Sequence, residues 1–192
     1  MKSTEVLRGE HRVIERGLAI LESIADKIER GESPPRDKVV ALLDFFSMFA
    51  DRCHHGKEEG MLFPELEAKG IPKERGPIGV MLFEHEEGRE SRRKMAEAVN
   101  NLADEANRQQ FVTEARNYIN LLCQHIWKEG NVLFKMAEQV LTEGEDEQLA
   151  ERFERYEREE IGEGVHERYH DLVGELEAEF GISGGRALAW AF

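Results

Sequence analysis

Two stretches of this chain share one skeleton, and they constrain its fold more than any other feature. His54-His-Gly-Lys-Glu58-Glu-Gly-Met-Leu62-Phe63 and His125-Ile-Trp-Lys-Glu129-Gly-Asn-Val-Leu133-Phe134 both place a His first, a Lys at the third step, a Glu at the fourth, and Leu-Phe at the eighth and ninth. Positions four apart on a helix lie one above the other on the same face, so each copy presents an imidazole beside a carboxylate. Two such pairs on facing helices would form a two-metal site of nitrogen and oxygen ligands, as in bundles that hold metals between their helices. The remaining residues must then hold the two pairs opposite each other.

Amphipathic periodicity supplies the means. A first helix is predicted from about Glu5 to Arg30, with Ser3 or Thr4 as N-cap, Gly31 as the stop, and Leu7, His11, Ile14, Leu18, Leu21, Ala25 and Ile28 on one inward stripe. After Pro34-Pro35 a second stripe runs Val39, Leu43, Phe46, Ala50, His54, Glu58, Met61. His55 and Glu59 also stand four apart, and the match to the second copy selects His54 and Glu58 over them. Gly70-Ile-Pro72 and Gly76-Pro77 mark a mid-chain connection, and a third helix with His85 on its inner side follows from Pro77. The fourth, from about Arg108 to Leu141, carries Phe111, Ala115, Tyr118, Leu122, His125, Glu129, Val132, Met136 and Val140 on one stripe.

An internal repeat emerges. His11 precedes His54 by 43 residues and His85 precedes His125 by 40, so each half is a helical hairpin with one His on its first helix and His-x-x-x-Glu on its second. A Glu precedes the single His in both halves, as Glu10-His11 and Glu84-His85. Two carboxylates buried without cations would cost several kcal/mol. Metal ions would compensate both charges and take the neutral imidazoles as ligands.

The net charge of −14 argues against a nucleic-acid or anionic-membrane partner, since no basic face is available to displace counterions. No apolar run approaches the roughly 18 residues of a spanning helix, and Met1 to Gly9 lacks the apolar centre of a signal peptide. The cytoplasm is the default compartment. Cys53 and Cys123 form no Cys-x-x-Cys unit, which fits a reducing environment.

This pattern resembles the hemerythrin-like, HHE cation-binding family, whose signature is a His on the first helix, His-x-x-x-Glu on the second, a His on the third, and a His with a carboxylate on the fourth. His11, His54, Glu58, His85, His125 and Glu129 match it, over about residues 3 to 142. The resemblance implies an all-α, antiparallel up-down four-helix bundle holding two irons, bridged by carboxylates and an oxo or hydroxo group and able to meet dioxygen, peroxide or nitric oxide. Two departures stand out. Oxygen-carrying members have a second His four residues after the third-helix His, where this chain has Arg89. Their fourth-helix carboxylate is an Asp five residues after its His, where Glu129 stands at four. One metal is thus expected to be short of a nitrogen donor.

The C-terminal part, residues 143–192, reads as a helical extension of a domain spanning 1–142. A charged helix from Glu145 to Glu160 precedes Gly162 and Gly164, and a last helix runs from Val165 to Phe180. His166 shares a stripe there with Tyr169, Val173, Leu176 and Phe180, and is the candidate to close the site as a further ligand or as a hydrogen-bond partner of one. His166-Glu167-Arg-Tyr-His170 also fits the zinc-protease pattern, but a third ligand and a substrate cleft have no source. The tail from Gly181 to Phe192 reads either as flexible or as docking through its aromatics. Mixed imidazole and carboxylate donors favour iron, with manganese as the alternative, over thiolate-bound zinc or all-oxygen calcium. Three function classes stay open: a redox protein, a module that senses or stores oxygen or iron, and a bundle with a structural metal.

Overall fold

The computed structural model describes residues 1–182, so most of the C-terminal tail lies outside the described residues. Among these residues there are six helical rods and no strand. Helix α1 is Lys2–Glu29. Helix α2 covers residues 36–68, opening as Arg36–Phe45, widening into π-helical turns at Phe46–His55 and Glu58–Leu62, and closing as Phe63–Ala68. Helix α3 is Pro77–Ala98. Helix α4 covers residues 105–140, with a π turn at Glu129–Leu133. Helix α5 covers residues 143–162, and α6 is Val165–Phe180. No helix of the described residues is long and apolar enough to cross a membrane.

Local chemistry sets the ends. Pro77 sits in the first turn of α3, where a missing N–H leaves nothing unpaired. Asp104 caps α4 by accepting from Asn107 N at 3.0 Å, and Thr142 with Glu145 forms a reciprocal capping box on α5. Gly164 and Gly181, at φ +75° and +68°, bracket α6. At the start of α1 neither Ser3 nor Thr4 is the cap. Asp146 of α5 takes that role, accepting from Lys2 N at 2.7 Å and Ser3 N at 3.1 Å, because its carboxylate satisfies free N–H groups and suits the positive helix end.

Two apolar cores sandwich a polar layer. One contains Ile14, Leu18, Phe46, Phe49, Met95, Tyr118 and Leu122, the other Leu7, Met61, Phe63, Ile78, Met81, Leu133 and Phe134. Along α1 and α3 the chain passes from the second core through His11 or His85 into the first, and along α2 and α4 from the first through His54 or His125 into the second. The C-terminal helices join both cores. Leu149 and Phe153 of α5 enter the second, and Tyr169, Val173 and Leu176 of α6 enter the first. Burial of each is worth about 1.5–3 kcal/mol, and Arg16 adds a two-pronged pair to Glu177 at 2.9 and 2.6 Å.

Candidate metal centre

Within the polar layer, nitrogens meet in pairs. His11 Nε2 lies 3.0 Å from His54 Nε2, and His85 Nε2 lies 3.1 Å from His125 Nε2. Two imidazole nitrogens bound at right angles to one ion at about 2.1 Å would be about 3 Å apart. Each carboxylate divides its oxygens between the pairs. Glu129 Oε2 is 3.1 Å from His11 Nε2 while Oε1 is 3.3 Å from His125 Nε2. Glu58 Oε1 is 3.5 Å from His54 Nε2 while Oε2 is 3.5 Å from His85 Nε2. Two groups of ligand atoms result, His11, His54, Glu58 and Glu129 in one, and His55, Glu58, His85 and His125 in the other, the atoms of each within 4.8 Å of one another.

The outward nitrogens are held by carboxylates. His54 Nδ1 bonds Glu10 at 2.8 Å, His125 Nδ1 bonds Glu84 at 2.9 Å, and His85 Nδ1 bonds Glu59 at 2.6 Å. Such a bond fixes the tautomer that turns Nε2 inward. Cations hold the carboxylates in turn. Lys57 donates to Glu10, Lys128 to Glu84, and Arg89 Nη2 to Glu59 at 2.7 Å. The repeat now has a physical reading at every position. The Lys at its third step neutralises the Glu before the single His of its own hairpin. The Phe at its ninth step covers the single His of the other hairpin: Phe134 stacks on His11 at 5.4 Å and Phe63 on His85 at 5.9 Å between ring centroids.

All four oxygens of Glu58 and Glu129 are buried without a hydrogen-bond partner, and both residues have 0% exposure. Burial, and next the neighbouring Glu129, drive the Glu58 carboxyl well above the usual range. Burial acts against charge on Glu129 too, but His125 and His11 outweigh it and hold that carboxyl well below its usual range. Burial likewise opposes charge on His125, yet Glu129 and Glu84 push it up to about 9. Burial, and then the charge of His11, keep His54 neutral. Four buried carboxylate oxygens without a hydrogen-bond partner, facing four imidazole nitrogens, form a set of ligand atoms that cations fit.

The structure brings together His11, His54, Glu58, His85, His125 and Glu129. It places His166 elsewhere. His166 Nδ1 lies 4.0 Å from Glu10 Oε1 and 3.8 Å from Glu157 Oε1, on the far side of Glu10 from the imidazole pairs, so it does not serve the His85 side. With Glu10, Cys53 and Glu157 it forms a third group of metal-ligand types, but the Lys57 ammonium already bonds both glutamates there. Its ring packs beside Phe49 and His170. His55 corrects the sequence reading in the other direction. It is buried, and its ring is stacked on His85 at 3.8 Å between centroids. In the wide turns of Phe46–His55, adjacent side chains diverge by less than the about 100° of an α-helix, so His54 and His55 both face inward.

The chain matches the family model of the hemerythrin HHE cation-binding domain over residues 2–137. It is also similar to uncharacterised proteins of Mycobacterium bovis and of two strains of Mycobacterium tuberculosis, each 26% identical over 180 residues that cover 93% of this chain and 70% of theirs. No solved structure matches it. With a family match across most of its length and the matching residues gathered in one buried cluster, the chain belongs to the hemerythrin HHE cation-binding family.

Proposed function

We propose that this is a non-haem di-iron protein whose antiparallel up-down four-helix bundle, α1 to α4, binds or reacts with dioxygen, peroxide or nitric oxide. The observation that carries the reading is the division of labour in Glu58 and Glu129: each sends one unpartnered oxygen to either imidazole pair, the arrangement expected of carboxylates that bridge two ions. The opposite order of the two cores along neighbouring helices supports the up-down arrangement. His11, His54, His85 and His125 supply nitrogen to the ions, and manganese suits the same donors. When bound, a pair of irons would supply electron exchange with a small oxidant.

The protein's own residues do three things around that pair. Glu10, Glu59 and Glu84 keep His54, His85 and His125 in the ligating tautomer. Lys57, Lys128 and Arg89 donate to those glutamates and hold them in place. Phe63, Phe134 and the flanking cores cover both carboxylates, which have no exposure, and this favours a reactant of a few atoms over a large substrate. Elemental analysis of protein grown with iron should give close to two metal ions per chain. Stopped-flow absorption after mixing the reduced protein with dioxygen then separates binding from turnover: a stable, reversible band means carriage or sensing, and rapid irreversible oxidation means redox chemistry. A single tightly held zinc under all growth conditions would overturn the reading.

A further inference from the structure

Arg89 stands one helical turn after His85, on the side of the site where a nitrogen donor is wanting. Its guanidinium cannot ligate a cation, and it points at carboxylates instead: Nη1 bonds Glu86 Oε1 at 2.5 Å on the outer side, and the other two nitrogens turn inward. Nε and Nη2 both reach Asp51 Oδ1 at 2.8 Å, and Nη2 reaches Glu59 Oε1 at 2.7 Å. Each carboxylate in turn faces an imidazole: Glu59 bonds His85 Nδ1 at 2.6 Å, and Asp51 Oδ1 lies 3.5 Å from His55 Nδ1. The two imidazoles are stacked nearly parallel, 13° between ring planes. With Nδ1 of His55 turned towards Asp51, Nε2 is the nitrogen left for an ion in the group with Glu58, His85 and His125.

We propose that His55 is a seventh metal ligand, the third imidazole of the His85 and His125 position, and that Arg89 is the positioning residue that aims it, gripping Asp51 behind His55 and Glu59 behind His85. The assignment rests on the dinuclear reading above. Arg89 thus stands behind two imidazoles in place of being one, and α2 supplies the nitrogen that α3 lacks. Two features of the chain make this work together. The π turns of Phe46–His55 bring His55 inward beside His54, and Asp51, within the same turns, stands four residues before His55. Arg suits the task better than Lys, because its planar fork aims several N–H donors in fixed directions and so orients the carboxylates that it holds. Asp51 is correspondingly ionised: burial opposes its charge, but His55 and Arg89 prevail and lower it to about 2.

The test is anaerobic titration of metal-free full-length protein with Co(II), following its visible absorption and competing it against a chelator. Two ions should bind the parent protein. His55→Gln and His55→Phe should each weaken one of the two sites by at least about tenfold and change its absorption, leaving the other in place. His55→Phe keeps an aromatic ring stacked on His85 and removes only the nitrogen, so a packing role predicts parent affinities for it. Arg89→Met should weaken the same site by about tenfold, and Arg89→Lys should restore part of that loss. Two ions bound with parent affinity and spectrum in both His55 variants would overturn the ligand assignment and leave the dinuclear reading standing. Loss in the His55 variants with no change in Arg89→Met would overturn the positioning role. A parent protein that takes fewer than two ions would overturn the dinuclear reading and this assignment with it.

Discussion

Glu10 holds His54: the imidazole Nδ1 meets Glu10 Oε2 at 2.8 Å, and both side chains are out of contact with water. The second half of the chain repeats the arrangement between His125 and Glu84 at 2.9 Å. Glu10→Gln keeps the shape of that contact and weakens its charge, and is expected to reduce affinity for the metal by about 10- to 100-fold. Chelator competition measures it. An unchanged affinity would show that His54 needs no charged partner.

Lys57 is a buried ammonium between Glu10 and Glu157. Replacing it by Met removes the positive partner and leaves a buried carboxylate uncompensated, so urea denaturation of the metal-free protein should show a loss of about 3 kcal/mol. Combining Lys57→Met with Glu10→Gln should recover part of that loss, since the double variant leaves no orphaned charge on Glu10.

His54→Ala and His125→Ala should lower metal content and thermal stability together, because an ion bound only by the folded state adds its binding free energy to folding. His166→Ala should leave metal content unchanged, since its ring lies beyond Glu10. Loss of metal in that variant would place His166 in the site after all.

Metal uptake should release protons. His125 is pushed up to about 9 in the metal-free protein against an ordinary 6.5, so it carries a proton at neutral pH that an ion must displace, and burial with the neighbouring Glu129 shifts Glu58 in the same direction. Apparent affinity should rise with pH by up to about tenfold per unit for each displaced proton, and level off above pH 9. The stability of the metal-free protein runs the other way for His125. A histidine whose folded value is raised stabilises the fold fully below its unfolded value of 6.5, and that contribution is lost as pH rises through about 9. A pH-stat titration at pH 7 that records no proton release would contradict both statements.

Gly56 sits under α5. A Cβ there would collide with the Tyr156 hydroxyl, which donates to Arg52 O at 2.8 Å. Gly56→Ala should therefore dislodge Tyr156 and destabilise the protein by about 1–3 kcal/mol. Limited proteolysis should find the segment around Glu157 cut faster than in the parent.

The long helices and the gathering of His11, His54, Glu58, His85, His125 and Glu129 in one buried layer were legible because they obey one rule: apolar residues at three- and four-residue spacing, interrupted at matched places by His and Glu. α6 begins and ends where its flanking glycines predict. The partners of the imidazoles were less legible. Glu10-His11 and Glu84-His85 were visible as repeated dipeptides, and so was the Lys of each copy, but nothing local says that a Glu on one helix will meet the Nδ1 of a His about forty residues on. The match between the two copies singles out His54 and says nothing of His55, whose inward position comes from a stretch where the backbone departs from the α-helical period. His166 was assigned to the site because its stripe does face the bundle, and Tyr169, Val173 and Leu176 are indeed buried there. Its depth along the bundle, beyond Glu10, is a tertiary fact that no helical periodicity records.

The ten-residue π stretch Phe46–His55 has a consequence for how this helix can change. Turns closed by i→i+5 bonds are rarer and poorer than those closed by i→i+4 bonds, so their persistence here depends on the packing around them. Letting the backbone fall back to ordinary spacing at unchanged length would rotate everything downstream by on the order of 100° relative to the upstream core. Helix formation in isolation would become easier while His54, His55 and Glu58 lost their common face. The common face therefore belongs to the packed protein and not to the isolated helix, and a variant that relaxed these turns would keep its helix and turn those three side chains apart.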